Sequence, residues 1–190
     1  MRASHVVALL GALLIAAPAA AQSTSQGQAL LTAVKDRDGA KLMELVTANG
    51  AGFLNGRGFD GTTALTIAVK DRNREYTDYL LSHGADPNLP GAGNEPPMVI
   101  AARLGWAEGI DHLLIVGARP DASNRQGETA LIVAVQLRNV PLVRRLLTAH
   151  ANPDKTDSAA GLSARDYAKR DSRARDILSL IEQSRPTPKR

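Results

Sequence analysis

A repeat interval of 33 residues runs through the middle of this chain and limits what it can fold into. Leu65-Thr66-Ile67-Ala68 is followed 33 residues later by Met98-Val99-Ile100-Ala101, and after the same step by Leu131-Ile132-Val133-Ala134. A second apolar set keeps the interval: Leu80-Leu81, Leu113-Leu114 and Leu146-Leu147. After it come Gly84-Ala85-Asp86, Gly117-Ala118-Arg119 and His150-Ala151-Asn152. Within the unit Gly61 to Asn88, Leu65, Ile67 and Ala68 mark one short helix. Tyr76, Tyr79, Leu80 and Leu81 have the i, i+3, i+4 spacing of a second, amphipathic one. Gly84 ends that helix where positive φ is cheap, and Asp86-Pro87-Asn88 turns the chain away. Helices this short hold too little apolar surface to stand alone, so each unit requires neighbours.

The period, a G-x-T-[PA]-L lead before the first helix and L-L-x-x-G-A-D-x-N after the second together resemble the ankyrin repeat. The resemblance spans roughly residues 26 to 184. It implies an all-α solenoid of stacked helix-turn-helix units with short finger loops, about five units, in which only neighbours touch. The ankyrin domain is placed at 29–184, with the first and last units as caps. In the first unit, Ala29 to Lys35 and Ala40 to Ala48 fit a helix pair without the usual lead. Asn49 to Asp60, with four glycines, is either a mobile finger or a packing accommodation for that unit.

Departures from the pattern carry their own expectations. Pro96-Pro97 replaces the threonine-led turn of the third unit, so its first helix starts well but loses a hydroxyl cap. Trp106 stands where the family often has histidine and is expected to close the seam between units. His150 replaces the glycine after the second helix and should bear left-handed strain. Gly161-Leu162-Ser163-Ala164 opens a fifth unit whose second stripe is Ile177, Leu178, Leu180 and Ile181.

The termini read differently. Arg2, the apolar run Val6 to Ala17 and Ala19-Ala20-Ala21 have the order of an export signal cleaved after Ala21. The run is short for a membrane span, so none is expected after cleavage. Residues 22–28 read as a flexible lead-in and 185–190 as a disordered tail. The mature protein is then expected in the periplasm or outside the cell, similar to small periplasmic ankyrin proteins of Gram-negative bacteria. It has no cysteine, so its stability there rests on packing.

Composition narrows function. Loss of Arg2 with the leader reduces the formal charge from +4 to +3, and the whole chain has six aromatic residues. A mild charge with few stacking rings argues against nucleic acid. His83, His112 and His150 show no paired metal-ligand spacing, Asp86, Asp121 and Asp154 fall in turns, and the glycines follow the repeat. No catalytic, cofactor or metal constellation emerges, and a non-catalytic monomer is expected. Ankyrin stacks bind other proteins through fingers and inner-helix ends. Matched position by position, that implies Phe59, Asp60, Lys70, Asp71, Arg72, Arg103, Leu104, Arg125, Gln136, Leu137 and Arg138. Arg37, Arg72 and Arg138 stand where the family usually has glycine, which suggests a cationic stripe for an acidic or mixed patch. The alternative ligand is an anionic envelope glycan or lipid headgroup.

Overall fold

The computed structural model describes residues 19–184, with side chains from Gly27 onward. The expected leader run and the tail 185–190 lie outside the described residues. Ten α-helices follow in order: α1 (Ala19–Lys35), α2 (Gly39–Asn49), α3 (Ala64–Lys70), α4 (Arg74–Ser82), α5 (Pro97–Arg103), α6 (Ala107–Ile115), α7 (Ala130–Gln136), α8 (Val140–Thr148), α9 (Ala164–Arg170) and α10 (Arg175–Gln183). The first of these runs through residues 22–28, the segment expected as a lead-in.

Consecutive helices pair into five units. The first helices pack in sequence, α1 on α3, α3 on α5, α5 on α7 and α7 on α9; among the second helices α4 packs on α6, α6 on α8 and α8 on α10. The principal helix contacts all lie within one unit or between adjacent units, which makes the fold an all-α solenoid as the period predicts. Leu80, Leu113 and Leu146 are fully buried between layers. Among the described residues the only extended pairing is three isolated bridges, Arg57–Thr63, Ser123–Thr129 and Thr156–Ser163, which close the fingers.

Local chemistry explains the helix ends. Thr63, Thr129 and Ser163 cap α3, α7 and α9 with their hydroxyls, whereas Pro96 gives α5 no side-chain cap. At the other end, Arg37, Arg72 and Arg138 adopt φ of 58°, 50° and 53°, and Gly105 takes the same position with 63°. Their N–H groups, and those of the residues after them, close Schellman turns: Arg72 N–H donates to Val69 O at 3.0 Å and Asn73 N–H to Ala68 O at 2.9 Å. Asp38, Asn73 and Asn139, which follow the three arginines, serve at once as N-caps of the next helix. Trp106 sits at that place without capping and is 8% exposed, its ring packed over Gly109. His150 has φ 62°, so the expected strain is present.

A side-chain ladder ties the far side of the loops together. Asn55, Asn88 and Asp121 accept the N–H of Asp86, Arg119 and Asn152 at 2.8, 2.7 and 2.7 Å. The Asp121 carboxylate thus bonds the next unit, not its own turn as expected; Asp86 does bond locally, to Asn88 N–H at 2.8 Å. The Asn49–Asp60 connection is a packing device: a 3-10 turn, Ala51–Asn55, lies against α1, α2 and α3 with Leu54 buried.

Candidate functional site

Every first helix ends on the same side, followed by a tight turn, so the side chains there form a row. Between units one and three the row encloses a groove of ≈ 460 Å³. Its floor is Thr66, Ile67, Ile100 and Leu104; its charged walls are Lys35, Asp60, Lys70, Asp71, Glu95 and Arg103. Of the eleven residues singled out in the sequence, five therefore meet here: Asp60, Lys70, Asp71, Arg103 and Leu104. The pattern missed Ile67 and Ile100 as floor residues because they had been assigned to the core. They are 6% and 9% exposed, so they belong to both.

The other six lie outside this groove. Phe59 projects from the second-unit finger with 92% of its surface exposed. Arg125 is exposed in the fourth-unit finger, and Gln136 and Leu137 end α7, Leu137 being 52% exposed. Arg72 and Arg138 follow α3 and α7.

The expected stripe of free cations is largely engaged within the protein. The Arg72 guanidinium donates to the Leu104 carbonyl at the end of α5, which satisfies a helix-terminal acceptor of the next unit. Arg103 bridges Glu95 at 3.1 Å and Glu128 at 3.0 Å. Burial pulls its pKa down, but the hydrogen bonds to Glu128 and Glu95 outweigh that and leave it above the ordinary arginine value. Arg138 donates to Asp171 at 2.9 Å. The Arg173 N–H and the Arg138 guanidinium together lower the Asp171 carboxyl to about 2. The Asp60 carboxyl is also lowered, by the hydroxyl and N–H of Thr62. Sequence spacing placed these arginines in a row but could not show the carboxylates and carbonyl one unit away.

At the C-terminal finger, Asp157 is buried and accepts the Ala160 N–H at 2.7 Å and the Tyr167 hydroxyl at 2.6 Å. Burial pushes its pKa up, yet these donors hold it below the usual carboxylate value. Its role is to fasten the last finger. Among the described residues no three His, Asp or Glu side chains group as metal ligands, and no helix is long and apolar enough to cross a membrane.

A family model described as ankyrin repeat matches residues 60–92 and 126–158. The matched segments are the second and fourth units of the stack. These are ankyrin repeats. The intervening unit, with Pro96-Pro97 and Trp106 in place of the usual residues, keeps the same helices in the same register. No curated protein sequence matches the chain. Ankyrin repeats are protein-interaction modules and generally non-catalytic, which fits a groove of apolar floor and mixed charge.

Proposed function

We propose that the protein docks one partner protein through the first-helix groove, and that it does so in the periplasm or outside the cell after cleavage at Ala21. The observation that carries the docking face is the groove itself, where Ile67, Ile100 and Leu104 form an apolar floor between charged walls. Such a floor supplies the desolvated centre that a protein interface needs, with charge at its rim. Lys35 and Lys70 stand opposite Asp60, Asp71 and Glu95, so the complementary patch is of mixed charge rather than purely acidic. A polyanionic glycan or headgroup is the weaker reading, because Arg72, Arg103 and Arg138 already hold internal acceptors. The location is supported by the order of Arg2, the apolar run and Ala19-Ala20-Ala21.

The test is crosslinked partner capture beside thermal melting for Lys35→Glu, Lys70→Glu and Leu104→Ser. The lysine variants slow encounter and introduce like charges, while Leu104→Ser speeds dissociation. Capture unchanged in all three variants, with melting also unchanged, rejects the groove as the docking face. Mass spectrometry of envelope-purified protein checks the location: a chain still carrying Met1 rejects cleavage.

A further inference from the structure

We propose that the seam between α6 and α8, built by the second helices and separate from the groove above, binds an acidic amphipathic helix of a partner protein. The seam holds an open cavity of ≈ 690 Å³ lined by Leu114, Val140, Pro141, Arg144, Arg145 and Thr148. The repeat supplies an internal control. Ile115-Val116 occupy the positions that carry Ser82-His83 in the second unit and Thr148-Ala149 in the fourth. Ile115 is 82% exposed and Val116 43%. Val140-Pro141 stand where the second and third units have Arg74-Glu75 and Ala107-Glu108. Folding does not call for these exchanges, since Leu113 and Leu146 of the same two helices are already fully buried. Two adjacent helices thus carry apolar pairs at positions their sister units leave largely polar, and exposed apolar surface concentrated in this way marks an interaction site.

Charge selects the partner. Arg144 is exposed and occupies the position of Asp78 and Asp111 in the preceding units, a reversal of sign. Its neighbour Arg145 donates to Asp111 at 2.6 Å and neutralises that acid. What remains is an apolar seam with one cation not paired among the described residues. An anionic membrane surface is attracted by clusters of several cations, whereas a single arginine beside an apolar trough suits one carboxylate on a helix. Both bounding helices have nine residues, about 13 Å of length, which matches two to three turns of a partner helix. Apolar anchors at i, i+3 or i+4, and i+7 would lie in the trough, with Glu at the edge toward Arg144.

The probe is a fluorescein-labelled synthetic helix of about 14 residues, with Leu at i, i+4 and i+7 and Glu on its flanks, compared with the same helix carrying Lys instead. Anisotropy with the purified chain is expected to show the Glu helix binding at least about tenfold more tightly than the Lys helix. Arg144→Asp, the residue of the sister units, should remove that preference. The double variant Ile115→Ser, Val116→His, again sister residues, should weaken the Glu helix about tenfold without lowering the melting temperature. Lys35→Glu and Lys70→Glu should leave it unchanged, so loss of this site and loss of the groove are distinguishable. Equal binding of both helices, indifference to the seam variants, or no binding of the Glu helix below about 1 mM overturns the proposal. So does a concentration-dependent dimer abolished by Ile115→Ser, which assigns the seam to a second copy, or displacement of the helix by anionic vesicles.

Discussion

The first-helix ends and the α6–α8 seam use arginine in opposite ways. At the first-helix ends Arg72, Arg103 and Arg138 each reach an acceptor one unit away. In the seam Arg144 stands exposed beside apolar surface, after its neighbour has taken the nearby Asp111. The same side chain stitches adjacent units in one region and is left to solvent in the other. The difference lies in what the 33-residue register places across from it. In a repeat protein, a cation's role is set by the residue one unit along.

The largest effect comes from the layer beneath both regions. Leu113→Ala, at a fully buried site in α6, should cost about 2–5 kcal/mol in denaturant unfolding. Ile115→Ser, two residues away, should change stability by no more than about 0.5 kcal/mol. A comparable loss for both would mean that Ile115 belongs to the core and the seam is not free.

Arg103→Glu would bring a third carboxylate between Glu95 and Glu128. Because Arg103 is about half exposed in its side chain, 48%, the expected loss is about 1 kcal/mol. Arg144→Asp should be neutral within about 0.5 kcal/mol, since it breaks no ion pair among the described residues. A neutral Arg103→Glu would show that the bridge contributes nothing and that this arginine is as available to a partner as Arg144.

Backbone strain offers a finer comparison. A non-glycine residue at left-handed φ is disfavoured by roughly 1–2 kcal/mol, and glycine returns part of that through the greater freedom of the unfolded chain. Arg37→Gly should therefore raise stability by roughly 0.5 kcal/mol. Arg138→Gly relieves the same strain but removes the bond to Asp171, so its net change should be smaller. Equal gains in chemical denaturation would deny the Arg138–Asp171 stitch any energetic role. Strain kept at Arg37 and Arg72, where Gly105 shows the unstrained solution, also makes partner capture by Arg72→Gly informative.

The smallest effect is acid dependence. The Asp171 carboxyl lies at about 2 in the folded chain, below its unfolded value of about 3.9. Its contribution is therefore complete above pH of about 4 and is lost as pH falls towards 2. Carboxyl NMR titration should show the midpoint moving upward in Arg138→Gln. A midpoint that stays in place would leave the Arg173 N–H as the sole cause.

Much of the fold was legible in the residues. The positions of Leu80, Leu113 and Leu146, the weak start at Pro96, the αL position of His150 and the glycine-like places of Arg37, Arg72 and Arg138 follow from a period and from local backbone chemistry. These are short-range properties, and a repeat displays each several times. The candidate site was legible in part: five of the eleven residues converge on one groove, and its floor of Ile67 and Ile100 was hidden by their double role.

What the chain alone determined is therefore the unit: two helices, their caps, their turns and the layer of leucines that obliges units to stack. Only the tertiary structure decided which charges remain available. Arg72 finding the Leu104 carbonyl, Asp121 serving Asn152 and Arg144 finding no carboxylate among the described residues depend on pairs about one unit apart, read across a packed interface. Helix periodicity fixes where a side chain leaves its own helix. The length and rotamer of two side chains from different units fix whether they meet, and no local pattern encodes that.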